Sequence, residues 1–137
     1  MTTITNSEQQ TMDFGKQLAH KLQGGDILLL KGELGAGKTT LVKGLAQGLG
    51  IANEITSPTF SLMNVYDQLI HIDTYRLKNE DELMAIGIED YLGDEKYICV
   101  IEWPEKIKNL LKNKKIISVE IVHLDENRRK IAVIVRQ

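Results

Sequence analysis

The chain predicts a three-layer α/β fold with a parallel central sheet and antiparallel edge strands. The short apolar run Ile27-Leu28-Leu29-Leu30 follows a glycine pair and leads into a glycine-rich loop and an amphipathic pattern. Later strand-like runs alternate with helix signals, and two alternating runs close the chain as a hairpin. Parallel strands covered on both faces read as continuous apolar runs, whereas hairpins add antiparallel strands at an edge. At 137 residues the chain is expected to form one domain, because it is too short for a second folded unit.

Ser7 followed by Gln10 resembles a capping box, and Phe14, Leu18 and Leu22 then place one apolar stripe on a helix ending near Gly24-Gly25. Ile27 to Leu30 is the first buried strand. Beyond the glycine loop, Leu41, Val42, Leu45 and Leu49 mark a second amphipathic helix stopped by Gly50. Ser61 to Tyr66 and Leu69 to Asp73 read as strands joined by a tight turn, after which Asn79 can cap a helix running through Leu83 and Ile86 toward Gly87. Tyr97 to Trp103 is another buried strand, and Pro104 suits a first helical turn before Ile107, Leu110 and Leu111. Ile116 to Val122 and Lys130 to Val135 form the closing hairpin around Asp125-Glu126-Asn127. Strand order does not follow from these patterns.

Seventeen Lys and Arg against nineteen Asp and Glu leave a net charge of -2, without the basic excess of a protein that grips nucleic acid alone. An RNA-related role would then work through partners. The polar start Met1-Thr2-Thr3-Ile4-Thr5-Asn6 lacks the basic and apolar parts of a signal peptide, and no run reaches membrane-spanning length, so the expected location is cytoplasmic. The single cysteine, Cys99, lies in the apolar run Tyr97 to Ile101 and reads as a packing residue.

The pattern G-x-x-x-x-G-K-[ST] is met by Gly32-Glu33-Leu34-Gly35-Ala36-Gly37-Lys38-Thr39, immediately after a buried strand and at the head of a helix. This is the context a phosphate-binding loop requires, and it predicts a P-loop NTPase fold that binds ATP with Mg²⁺. The glycines let backbone N–H groups fold inward around a phosphate, and the helix adds its positive dipole end. Lys38 is expected to reach the β and γ phosphates, Thr39 to offer its hydroxyl to Mg²⁺, and Thr40 to bond a phosphate nearer the nucleoside.

Such a site also needs carboxylate at neighbouring strand ends to hold hydrated metal and to handle the attacking water. Glu102 ends the apolar run Ile98 to Ile101, and Asp73 ends Leu69-Ile70-His71-Ile72 in the same manner; the two roles are not divided between them. Thr56-Ser57-Pro58-Thr59-Phe60 is either a switch loop whose hydroxyls approach the γ-phosphate or an ordinary connection. Of the chain's four Arg, three (Arg128, Arg129 and Arg136) fall in the final hairpin, and Arg76 is left to face phosphate, a partner or a surface ion pair. Trp103, beside Glu102, reads as core or as a wedge beside nucleotide or partner. His71 reads as packing within its strand, since no Cys or His lies at ligand spacing, and Lys112 to Lys115 as a solvated helix end.

Several segments together resemble one family. Gly-Glu-Leu-Gly-Ala-Gly-Lys-Thr-Thr (32 to 40), Ser-Pro-Thr-Phe (57 to 60), His-Ile-Asp-Thr-Tyr-Arg-Leu (71 to 77), Gly-Ile-Glu-Asp-Tyr-Leu (87 to 92) and Glu-Trp-Pro (102 to 104) are similar, in order and spacing, to the TsaE family of bacterial tRNA-modification ATPases. The resemblance covers nearly the whole chain and is loose only in the final hairpin. It implies an ATPase partner of TsaD and TsaB in forming N6-threonylcarbamoyladenosine at position 37 of tRNA, with the transfer chemistry belonging to TsaD and tRNA met through the complex. It further implies Lys38 and Thr39 on phosphate and Mg²⁺, Asp73 and Glu102 serving metal and water, Trp103 beside the site, slow turnover alone, and ATP hydrolysis that remodels or resets the assembly.

Rival readings share the loop. A small-molecule phosphotransferase would close an Arg-bearing lid over its acceptor, which four Arg with three at the tail disfavour. A GTP switch would carry an Asn-Lys-x-Asp segment, which the chain lacks. A nucleotide-gated adaptor, whose binding rather than hydrolysis shifts a partner, remains compatible with the sequence.

Overall fold

A computed structural model of the chain describes residues 1–33, 35–52, 54–55 and 62–136. The elements run β1 (Thr2–Thr5), α1 (Glu8–Ala19), β2 (Ile27–Lys31), α2 (Lys38–Gly48), β3 (Met63–Tyr66), β4 (Leu69–Asp73), α3 (Asp81–Ala85), β5 (Ile98–Glu102), β6 (Ile116–His123) and β7 (Arg129–Arg136), with 3₁₀ segments at Ile88–Asp90 and Pro104–Leu111. Among the described residues, seven strands form one sheet in the order β1-β7-β6-β2-β5-β4-β3. The central strands β6, β2, β5 and β4 are parallel, and β3, β7 and β1 pair antiparallel at the two edges. The expected three-layer architecture is therefore the observed one.

Side chains alternate across the sheet as strand geometry dictates. Leu28, Leu30, Leu69, Val100, Val119 and their same-face neighbours pack under α1 and α2. Ile27, Leu29, Ile70, Ile72, Cys99 and Ile101 face the opposite layer, which contains Leu83 of α3 with Ile88, Leu92, Ile107 and Leu111. Cys99 is fully buried, and burial pushes its thiol pKa up to about 12, so it is an inert packing residue. Among the described residues no helix is long and apolar enough to cross a membrane.

Glycines let α1 lie directly on α2. A Cβ on Gly15 would stand 2.5 Å from the Leu41 carbonyl, one on Gly44 2.0 Å from the Met12 carbonyl, and one on Gly48 2.6 Å from Ala19 Cβ. Helix propensity alone would favour Ala at these positions by about 1 kcal/mol, so close backbone approach decides against it. The approach carries Glu8 and Thr11 of α1 to the N-terminal end of α2, where both line a cleft.

Differences from expectation at the helices have local causes. Helix α1 ends at Ala19, short of Gly24, because the next amides turn back through 3₁₀-type bonds, Lys21 N–H to Leu18 O (3.0 Å) and Leu22 N–H to Ala19 O (3.2 Å). Gln10 reaches back as a capping residue, but its Oε1 accepts from Asn6 N–H (2.8 Å) while Ser7 Oγ accepts from Gln10 N–H. Asn79 Oδ1 accepts from Asp81 N–H (3.0 Å) although Glu80 occupies the cap position. The helix expected after Pro104 is 3₁₀, broken at Ile107, whose φ of -128° is not helical. Strand β1 has no counterpart in the sequence reading; it pairs Thr2 with Ala132 through Thr5 with Arg129.

Candidate active site

The cleft lies at the C-terminal ends of the parallel strands, where the chain reverses its direction of travel across the sheet. From β2 it crosses to β4, returns to β5, then passes over β2 to reach β6 on the other side. Loops leaving strands at such a switch point diverge and open a crevice. The loop after β2 fills this crevice and hands over to α2. Gly35 (φ 81°) and Gly37 (φ 104°) adopt left-handed backbone there, closed to most L-residues, and a Cβ on Gly35 would meet nothing within 4 Å.

The cleft has a volume of about 520 Å³ and its lining includes Gly35, Gly37, Lys38, Thr39, Thr40, Asp73, Glu102 and Trp103. The structure thus brings together the loop lysine, both hydroxyls, both strand-end acids and the tryptophan singled out from the sequence. Gly32, Glu33 and Ala36 instead line a neighbouring depression that shares Trp103 with the cleft, together with Glu120 and His123. They act through the backbone: Gly32 O accepts from Lys38 Nζ (2.8 Å), and Glu33 O accepts from Ala36 N–H (3.0 Å). Gly32 is also required by space, because a Cβ there would lie 2.8 Å from the Ile121 carbonyl. Leu34 and Thr59, with the whole Thr56 to Phe60 segment, lie outside the described residues.

Lys38 opens α2 and is buried, with its ammonium shared among Gly32 O, Glu102 Oε1 at 3.8 Å and the face of Trp103, 3.8 Å from the ring centroid. Burial lowers its pKa, opposed by the charges of Glu102, Asp73 and Glu105. Asp73 and Glu102 are direct register partners on β4 and β5. Glu102 is 3% exposed, whereas Asp73 is half-buried. Its Oδ1 accepts from Tyr75 N–H at 2.9 Å.

Trp103 resolves toward the cleft rather than the core. It is half-buried, lies 5.1 Å from the Tyr75 ring and has a left-handed φ of 58°, a strained backbone for a bulky residue. Thr74 holds this corner: its hydroxyl donates to Glu102 O (2.9 Å) and lies within hydrogen-bonding reach of Trp103 O, while its N–H donates to Glu102 O (3.2 Å).

Burial raises the Asp73 pKa above the usual carboxylate value of 3.8, reinforced by Glu102 and opposed by the Tyr75 N–H, His71 and Lys38. The folded state then binds the proton more tightly than the unfolded chain. The charge is a cost fully present above the folded-state pKa and relieved as pH falls through it. Asp73→Asn should therefore raise the melting temperature of the nucleotide-free protein at pH 7 in EDTA, with the gain shrinking as pH approaches the usual carboxylate range. A lower melting temperature at pH 7 would contradict this.

The sequence reading missed two contributions. Arg129, from the hairpin, lines the cleft; its Nε donates to Ala36 O (2.9 Å), and one terminal nitrogen donates to Asp125 O (2.9 Å). Arg76, by contrast, is exposed and is not among the described residues lining the cleft. His71 does more than pack: it is fully buried, and its Nε2 lies 2.7 Å from Glu102 Oε2. Spacing search for metal ligands could not show this, since the partner is a carboxylate two residues beyond its register neighbour Val100 on the next strand.

A glycine loop between a buried central strand and a helix, with carboxylates at the ends of neighbouring parallel strands, defines the P-loop NTPase fold. A crystal structure of YdiB from Bacillus subtilis shares it, with a TM-score of 0.76 and 30% identity over 96% of this chain and 82% of that one. The family model described as Threonylcarbamoyl adenosine biosynthesis protein TsaE matches residues 5–131. Relatives named tRNA threonylcarbamoyladenosine biosynthesis protein TsaE include one from Treponema pallidum, 42% identical over 114 residues (81% of this chain, 84% of the relative). Another, from Aquifex aeolicus, is 38% identical over 136 residues (95% and 92%). The chain belongs to the TsaE family.

Proposed function

We propose that this chain binds ATP with Mg²⁺ in the cleft and hydrolyses it in the service of tRNA N6-threonylcarbamoyladenosine formation, acting with TsaD and TsaB to remodel or reset their complex. The observation that carries this reading is the buried Lys38 ammonium, held by Gly32 O at the head of α2 beside an open loop with left-handed glycines. A buried cation at the head of a helix, beside glycines whose backbone is free to turn N–H groups inward, suits a polyphosphate in charge. The likeness to relatives named for threonylcarbamoyladenosine biosynthesis supports the pathway.

The donor set fits the metal. Thr39, Asp73 and Glu102 offer a hydroxyl and carboxylates, the hard oxygen ligands Mg²⁺ prefers. Among the described residues no group of three or more His, Cys, Asp or Glu forms a closed metal cage, and Mg²⁺ bound with a nucleotide needs none, because phosphates and water complete its shell. When bound, the metal would neutralise charge developing on the phosphoryl oxygens. The protein's part is to hold the phosphates with loop amides and Lys38, to keep the Trp103 ring against the Lys38 ammonium, and to keep an acceptor carboxylate at the reacting end. Thr40 and Arg129 stand by to contact phosphate.

The position of Arg129 removes part of the argument against phosphoryl transfer to a small acceptor, since one tail arginine does reach the loop. The test follows γ-labelled ATP with the purified chain, TsaD, TsaB, tRNA and the threonylcarbamoyl donor. The expected result is label in free phosphate, with repeated rounds of tRNA modification requiring hydrolysable ATP. Label on an added metabolite, or equal modification with a non-hydrolysable analogue, would overturn the reading in favour of a phosphotransferase or a binding-only adaptor.

A further inference from the structure

Among the described residues, the least explained polar group is the His71 imidazole. Its neighbours along β4 are Leu69, Ile70 and Ile72, all fully buried, and it is itself 0% exposed. An apolar side chain would satisfy this place in the sheet without desolvating two ring nitrogens. Nδ1 has no hydrogen-bond partner among the described residues, so the imidazole is not there to complete a polar network of the core. The partner it does have is the Glu102 carboxylate, 2.7 Å from Nε2.

Geometry fixes what this contact does. An ionised carboxylate only accepts, so Nε2–H donates to Oε2. That bond occupies one oxygen from behind and leaves Oε1 on the side of Lys38, at 3.8 Å, where the carboxylate borders the cleft. Register makes the arrangement specific: His71 pairs with Val100 and Asp73 with Glu102, so Glu102 sits diagonally from His71 and beside Asp73 on one face of the sheet. Without the imidazole, a glutamate side chain retains several rotamers, and only some present an oxygen to the cleft.

We propose that His71 is a positioning residue for Glu102, clamping one carboxylate oxygen so that the other is held toward the reacting end of the cleft. The inference rests on the ATPase reading. It makes β4 the source of both the half-buried acid and the clamp on the buried one.

The test compares three replacements of His71 by nucleotide affinity, steady-state turnover and melting temperature. His71→Gln places an amide N–H near the position of Nε2, His71→Asn carries its amide too short to reach, and His71→Leu removes the donor and suits the apolar strand. Turnover is expected to fall at least about 10-fold in the Leu and Asn variants and to recover to within about 3-fold of wild type in the Gln variant, while ATP affinity stays within about 3-fold in all. In a Glu102→Gln background, His71→Leu should cause no further loss of turnover. A hydrolysing wild type whose folded His71→Leu variant keeps its turnover, or whose three variants lose turnover alike, overturns the inference alone. A wild type that neither binds nor hydrolyses ATP overturns the ATPase reading and this inference with it.

Discussion

Glu102→Gln should reduce ATP hydrolysis by about 100-fold or more, the usual scale for removing a positioned general base or charge-stabilising group. Nucleotide affinity should stay within about 5-fold of wild type, because the change keeps the side chain's shape and removes a negative charge from beside a polyanion. The reasons are structural. Glu102 is 3% exposed, ends a central strand in register with Asp73, and is contacted by His71 on one oxygen and approached by Lys38 on the other. A carboxylate held so firmly is pre-organised, and its neutral isostere cannot take a proton or hold a hydrated cation equally well. The check is phosphate release under saturating ATP alongside an independent binding measurement. Unchanged release would remove Glu102 from the chemistry, and lost binding would make it part of the nucleotide cradle instead.

Lys38→Met should weaken ATP binding by about 100-fold or more, equivalent to about 2.8 kcal/mol. The methionine keeps an apolar stem against Trp103 and removes the charge together with the hydrogen bond to Gly32 O. In the wild type the ammonium lies 2.8 Å from Gly32 O and 3.8 Å from the Trp103 centroid, so it is already desolvated and aimed before ligand arrives. A pre-organised charge in a partly dry site interacts more strongly with phosphate than a surface lysine, whose pairings are worth little. Affinity measured for ATP and for ADP separates its contacts: a larger loss for ATP would place the ammonium toward the γ-phosphate. Equal affinity of variant and wild type for both nucleotides would show that Lys38 does not meet the phosphates.

How much of this was legible in the chain depends on how local the cause is. The strand from Ile27 and the helix through Leu45 follow from runs and periods within a few residues, and the loop between them from its glycines. Asp73 and Glu102 were visible because an acid abruptly ends an apolar run, which marks a strand's exit from the core. Arg129 was not visible as a cleft residue. Its contact with Ala36 spans 93 positions of sequence and exists only because β7 pairs with β6, and β6 with β2. His71 failed for a related reason, since its meaning lies in the register between β4 and β5. Strand β1 is short and threonine-rich, and only pairing with β7 makes it a strand. The closing hairpin, the least distinctive stretch of sequence, contributes Glu126, Asn127 and Arg129 to the cleft through this long-range topology.

The central claim is that main-chain amides around Gly35 and Gly37, with the Lys38 ammonium, embrace a triphosphate. Calorimetric titration of the folded wild-type protein with ATP in the presence of Mg²⁺ tests it most directly, with Trp103 fluorescence as a reporter 3.8 Å from the same ammonium. The account predicts saturable binding near one nucleotide per chain, a change in tryptophan emission with the same midpoint, and loss of both in Lys38→Met. A folded protein that shows neither heat nor a fluorescence change at millimolar Mg²⁺-ATP would contradict it.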